Sequence, residues 1–260
     1  MARIYPLFSS SKANSTFIGD IKGGILIDAG ASFKRLSEAL VLSGLAVSSV
    51  KGVFITHSHT DHVAGLKVLT GKTGIPVFGQ RETLEELLEK GCISPNSPVY
   101  ELDGAAVSAD IEVSCFDTPH DTVRSCGYRI KTPDGRVCAI CTDLGYVTDT
   151  VRGNILGCDL VFLESNYDEK MLKNGPYPPH LKERIKSNYG HLSNNDCARQ
   201  AAELIRNGTT RIVLGHLSQE NNTPYIAEKT NVEGLSEFVR DRDYILEVAP
   251  VATNGKMVVF

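Results

Sequence analysis

Three histidines and an aspartate fall within six residues in Thr56-His57-Ser58-His59-Thr60-Asp61-His62, directly after the apolar run Val53-Phe54-Ile55. That run is β-branched and aromatic and reads as a buried strand, so the cluster sits at a strand end. Two histidines at i and i+2 on an extended or turning backbone direct their imidazoles to one side. Asp61 and His62 can turn toward an adjacent point, an arrangement that suits two metals. Imidazole nitrogen with carboxylate oxygen favours Zn, Mn or Fe over Ca or Mg, which prefer oxygen alone. A polar turn with solvated histidines would not need ligands at this density.

The rest of the chain must supply a scaffold for that strand end. At 260 residues it is long enough to bury a large core, and no stretch of about 18 apolar residues could cross a membrane. There is no basic segment followed by an apolar leader region, so the expectation is a protein of the cytoplasm with no membrane partner. The seven cysteines are an odd number, and several lie in strand-like runs, which fits reduced buried thiols better than a disulfide framework. Cys138-x-x-Cys141 falls inside an apolar run with no helix after the first cysteine and reads as core strand rather than redox pair. A net charge of −4 supplies no global attraction to nucleic acid, so any such binding must be local.

In chain order, strands are predicted at 3–8, 16–21 and 25–28, with Ser9 to Ser15 as an ordinary polar hairpin-edge loop. Ser32 is a predicted N-cap for an amphipathic helix ending near Ser43-Gly44. Further helices are expected at 63–69, 82–90, 181–187, 194–206 and 224–239. Further strands are expected at 50–55, 75–78, 99–102, 106–116, 125–131, 136–142, 159–164, 211–214, 244–248 and 256–260. No linker or internal repeat divides the chain. The pattern implies one α/β domain over 1–260, a four-layer αββα sandwich of two mixed sheets face to face with helices outside.

Thr56 to His62 resembles the signature of the metallo-β-lactamase fold. Further pieces follow in that family's order: Leu26-Ile27-Asp28-Ala29-Gly30 upstream, then His120, Asp143 and His216, each at the end of an apolar strand. The resemblance implies that His57, His59 and His120 hold one divalent ion, that Asp61, His62 and His216 hold a second, and that Asp143 bridges them. Metals about 3.5–4 Å apart can share a hydroxide that is nucleophilic at neutral pH. Lactamases commonly carry cysteine at the bridging position; aspartate here points to the phosphodiesterase branch.

The region from Glu164 to Leu192, with Gly215-His216-Leu217-Ser218-x-x-Asn221-Asn222, is similar to the YycJ-type family, also called WalJ or VicX. These proteins are regarded as bacterial 5′→3′ DNA exonucleases, so the resemblance implies a dinuclear phosphodiester hydrolase acting on single- or double-stranded DNA ends. The fold alone would also allow a small-molecule phosphodiesterase or thiolesterase. Gly190-His191-Leu192-Ser193 and Glu164 look like the counterparts of a segment in the tRNA 3′-processing nucleases, where a histidine aided by a glutamate protonates the leaving oxygen. His191, Glu164 and Asp61 are therefore the catalytic candidates.

Independently of family, Lys170 to Lys186 holds five basic residues against one acidic residue, Glu183, with Tyr167, Tyr177 and Tyr189 interleaved. Such a stripe suits a single strand, phosphates meeting Lys and Arg while bases stack on Tyr. A solvated helix face is the plainer alternative. Expected substrate contacts are Tyr167, Tyr177, Lys182, Arg184, Lys186 and Asn222.

Overall fold

Strands that are mostly buried on both faces build two sheets with a shared interior. The computed structural model describes residues 1–260. The first sheet contains β1 (Arg3–Ser10), β2 (Ala13–Asp20), β3 (Gly23–Ile27), β4 (Val50–Phe54), β5 (Val77–Gly79) and β6 (Val99–Glu101). The second contains β7 (Ala105–Ser108), β8 (Ile111–Asp117), β9 (Cys126–Lys131), β10 (Val137–Cys141), β11 (Leu160–Glu164), β12 (Arg211–Gly215) and β13 (Ile245–Val248). A short β14 (Val258–Val259) returns to pair with β1, so the orders are β14-β1-β2-β3-β4-β5-β6 and β13-β12-β11-β10-β9-β8-β7. Both sheets are mixed: β3 to β6 and β10 to β13 run parallel, the remainder antiparallel.

Successive strand residues face opposite ways. Ile25, Ile27 and Phe54 thus point inward to meet Val113, Tyr128, Ile130 and Phe162 between the sheets, while Leu26 and Val53 point outward. The outward face of the first sheet is covered by α1 (Phe33–Leu42), α3 (Leu66–Thr73) and α4 (Arg81–Glu89) through Leu36, Leu40, Leu66, Leu69, Leu84 and Leu87. On the second sheet, α5 (Asp149–Ile155), α8 (Asn194–Arg206) and α9 (Pro224–Gly234) bury Val151, Ile155, Cys197, Ala201, Leu204 and Ala227 against Val161, Leu163 and Ile212. The result is the four-layer αββα sandwich. Three short helices fill connections after strand ends, α2 (Thr60–Val63) after β4, and α6 (Glu169–Asn174) and α7 (Pro179–Lys186) after β11. No helix is long and apolar enough to cross a membrane.

Several boundaries differ from the sequence reading. The run 106–116 is two strands, not one, because Ala109 and Asp110 both take left-handed φ (53° and 61°) and turn the chain on itself. The polar loop at 9–15 is a tight turn at Ser11-Lys12: Ser9 and Ser10 finish β1, Ala13 and Asn14 begin β2, and all four are buried. Helices α5 and α6 were not foreseen. Each is short, and each is started by a side-chain cap, Thr148 accepting from Val151 N and Asp168 from Met171 N.

Candidate metal centre

The site lies where strands of both sheets end. From the first sheet, β4 leads into His57, His59 and α2, which carries Asp61 and His62. From the second, β10 is followed by Asp143, β11 ends in Glu164, β12 is followed by His216, and the loops after β8 and α7 supply His120 and His191. Asp28, Asp143 and His216, one residue or two beyond β3, β10 and β12, all have left-handed φ (60°, 59° and 55°). Backbone of this kind costs about 1–3 kcal/mol per residue and turns each side chain away from the strand direction.

The ligand atoms of His57, His59 and His120 lie within 4.8 Å of one another, and so do those of Asp61, His62 and His216. Asp143 stands between them: Oδ2 is 3.3 Å from His62 Nε2, while Oδ1 is 3.7 Å from His120 Nε2 and 3.5 Å from His216 Nδ1. The structure therefore brings all seven expected ligands together. A further grouping, Asp143, Glu164, His191 and His216, also satisfies the spacing. Its Glu164, however, is already saturated: Oε1 accepts from Nδ1 of His191 and of His216 (2.8 Å each), and Oε2 from Leu144 N and Leu192 N (3.1 Å each).

A fit to cations is visible in what the side chains leave undone. His57 Nε2, His216 Nε2 and Asp143 Oδ2 are buried with no hydrogen-bond partner. An unpaired buried polar atom costs about 1–3 kcal/mol, so three converging on one cleft require something to bind them. Burial, then the neighbouring imidazoles, push His57 well below the usual histidine range, and burial lowers His59 and His120 against the pull of Asp143. His62 and His216 go the other way. Burial would lower them, but Asp143 and Asp28 hold His62 well above its usual value, and Asp143, Asp61 and Glu164 raise His216 to about 10. Burial likewise fails to neutralise Asp61, Asp143 and Glu164; the imidazoles around them keep these carboxylates ionised. Neutral imidazoles on one side and buried carboxylates on the other make a donor set for divalent metal.

Supporting residues fix the ligands. Asp28 accepts from Thr56 N and Thr56 Oγ1 (2.9 Å each) and bonds His62 Nδ1 at 2.8 Å, leaving Nε2 to face the cleft. Asn14 donates to Asp61 Oδ2 (3.1 Å) and lies 3.0 Å from His62 Nε2, with its amide locked by Ser10 N and Ser10 O. Gly30 lets the chain pass beneath: a Cβ there would stand 1.7 Å from Asp61 O. The sequence reading gave Asn14 and Asp28 no role. Asn14 was hidden by the supposed loop, whereas Asp28 stood in a quoted motif whose hydrogen bonds no spacing could show.

His59 and Asp61 are the ligands open to solvent, with 34% and 23% of their side chains exposed, so the mouth lies on their side. Asp121, beside His120, is 3.6 Å from His120 Nε2 and pairs with Arg184 of α7. The expected substrate contacts divide. Arg184 and Lys186 are exposed, and Lys182 is half-buried with its ammonium on Lys173 O. Tyr167 and Asn222 are corrections. Tyr167 is buried with Leu172 and Ile185, so no base can stack on it, and Tyr177 packs half-buried against the same cluster. Asn222 donates to Ser165 O, Asn166 O and Asn194 Oδ1 inside a buried amide network, where a substrate cannot reach it. Glu164 is fully buried too and acts through His191 and His216, not on a substrate.

Comparison with known proteins agrees with this geometry. The beta-lactamase superfamily domain matches residues 24–217, and the metallo-beta-lactamase fold protein YhfI from Bacillus subtilis superposes with a TM-score of 0.73 at 16% identity, covering 97% of this chain and 98% of that one. Fold and site define a metal-dependent hydrolase of the metallo-β-lactamase superfamily. The exodeoxyribonuclease YycJ of Bacillus anthracis is 34% identical over 89% of this chain and 88% of its own length. The exodeoxyribonuclease WalJ of Streptococcus pneumoniae is 33% identical over 89% and 87%. The chain belongs to this YycJ/WalJ family.

Proposed function

We propose that the chain is a nuclease that hydrolyses DNA phosphodiesters from an end, with 5′→3′ polarity, using two divalent ions chosen from Zn, Mn and Fe. The observation that carries it is the placement of two three-residue donor sets with Asp143 between them and a Glu164-held His191 alongside. The likeness to the two exodeoxyribonucleases supports DNA as substrate; the polarity rests on family resemblance alone. His57, His59 and His120 would hold one ion and Asp61, His62 and His216 the other, with Asp143 shared. Bound there, such ions supply a nucleophile from water at neutral pH and offset the charge that builds on the phosphoryl oxygens.

The chain's own residues do the rest. Glu164 Oε1 accepts a hydrogen bond from the Nδ1–H of His191, which leaves Nε2 as the ring position available to give a proton to the departing 3′ oxygen. The same oxygen holds Nδ1 of His216 and turns its Nε2 toward Asp61 (3.6 Å). Asp28 and Asn14 do the same for His62 and Asp61, so the ligands are positioned before substrate arrives. Arg184 and Lys186 lie outside as phosphate contacts. One folding unit over 1–260 serves the site, since its residues come from both sheets. Seven free cysteines, five of them buried, fit a reducing compartment such as the cytoplasm.

The test is digestion of 5′- and 3′-labelled single- and double-stranded DNA across a series of Mn, Zn and Fe concentrations, with metal content measured. Release of label from the 5′ end first is expected. No hydrolysis in any metal-loaded sample would refute the reading, and turnover of bis-p-nitrophenyl phosphate or a thioester alone would favour a small-ester hydrolase.

A further inference from the structure

Four tyrosines of this chain are strongly exposed, and two of them sit on segments whose backbone is bonded into the metal centre. Tyr146 (46% exposed) follows Asp143 by three residues, and Tyr189 (61%) precedes His191 by two. The other two are placed differently. Tyr100 already spends a ring face on Phe78, at 5.2 Å between centroids, and Tyr225 borders the outer edge near Pro6 and Leu246.

The two loops that carry Tyr146 and Tyr189 touch. A Cβ at Gly145 would stand 2.2 Å from the Asn188 carbonyl carbon, so only glycine allows the contact that sets the tyrosines on adjoining segments. Both segments are fixed by the site itself. Leu144 N donates to Glu164, Gly145 N to Pro119 O (3.1 Å), and His191 N to Ile185 O (2.9 Å), while Gly190 O bonds His120 Nδ1 (3.1 Å). Tyrosines carried on pinned loops lose little freedom on binding, and both keep about half of their surface open to solvent. Two exposed aromatic residues on touching segments that are bonded into one site offer ring faces to a flat, apolar-faced ligand. The charge beside them narrows its class: Arg184, anchored to Asp121, and the exposed Lys186 lie on the same segment as Tyr189. Cations next to aromatic faces suit phosphates alternating with unstacked bases.

We propose that Tyr146 and Tyr189 form a base-stacking platform that holds the unpaired end of a DNA strand beside the metal centre. This rests on the nuclease reading and narrows it to single-stranded ends, including those frayed from a duplex. It also replaces Tyr167 and Tyr177 as the stacking residues of the basic stripe.

Anisotropy with metal-loaded protein and hydrolysis-resistant phosphorothioate oligothymidylate tests it, compared with an abasic strand of equal length and charge. Wild type should prefer the strand with bases. Tyr146→Ala and Tyr189→Ala should each weaken that binding about five- to a hundredfold, the range alanine replacement of a stacking ring gives. The abasic strand should be unaffected, and Tyr146→Phe and Tyr189→Phe should bind as wild type. Alanine variants that hold oligothymidylate like wild type, or lose both strands equally, would overturn the platform while the nuclease reading stands. Failure of wild type to bind either strand would overturn both.

Discussion

Glu164→Gln isolates the role of one buried carboxylate. Four donors converge on Glu164, and alanine would strand them all: at about 1–3 kcal/mol per buried orphan, the loss approaches the whole stability of an ordinary domain, so a dead alanine variant would say nothing. Glutamine keeps the volume. Leu144 N and Leu192 N are backbone donors that cannot reverse, so the amide oxygen must stay on them and the amide NH2 must face Nδ1 of His191 and His216. Both imidazoles then accept at Nδ1 and carry their protons on Nε2. For His216 that converts the ligand nitrogen into a donor, and undoing it is expected to weaken metal binding about 10- to 100-fold, as loss of an outer ligand support usually does. Chelator competition should show this, with melting temperature reporting that the fold is kept and turnover falling at limiting metal. A glutamine variant with wild-type metal affinity and turnover would refute the argument that Glu164 sets the tautomers.

Three further outcomes follow from the same geometry. His191→Ala should retain metal and lose about 10²–10⁴-fold in DNA turnover, largely recovered on a p-nitrophenyl ester whose leaving group needs no proton, whereas Asp143→Ala should lose metal and activity together; elemental analysis beside the two assays separates them. Because His62 is raised and His216 reaches about 10, both carry protons near neutrality that a cation must displace, so metal affinity should rise with pH up to about 10 and binding should release protons. Calorimetry in buffers of different ionisation enthalpy measures that release, and a pH-independent affinity would contradict it. Asn14→Ala removes the donor to Asp61 Oδ2 and should weaken metal binding by about 10- to 100-fold; it also strands the buried Ser10 N, so the metal-free protein should melt lower by an amount set by that one orphan of about 1–3 kcal/mol, and wild-type metal affinity would contradict the reasoning.

What the sequence made legible was dense or periodic. His57 to His62 could be read directly, because four potential ligands in six residues have few other uses, and the expected helix 194–206 matches α8 to the residue. His120, Asp143 and His216 are single residues after apolar strands, and only the family resemblance singled them out. Asn14 was missed because its role depends on a two-residue turn that polar composition disguised as a loop. The tyrosines failed for the opposite reason. Tyr167 shares a segment with the basic residues but faces Leu172 and Ile185, and interleaving along a chain does not say which way a ring points.

The centre holds together because its strain and its rigidity come from the same strands. Asp28, Asp143 and His216 leave β3, β10 and β12 in a backbone conformation that few residues other than glycine adopt, and each would relax if its strand end could move. It cannot. β3 is pinned between β2 and β4, β10 between β9 and β11, and β12 between β11 and β13, so every one of these strands is internal to its sheet. The ladder bonds on both sides resist the shift that would release the turn. The two sheets then face each other through Phe54, Tyr128 and Phe162, with Tyr128 Oη bonding Ile55 O at 2.5 Å just before the histidine cluster. Ligands from the first sheet and ligands from the second are thereby registered across the interior core, which is why residues as distant in sequence as Asn14 and His216 can serve one cleft.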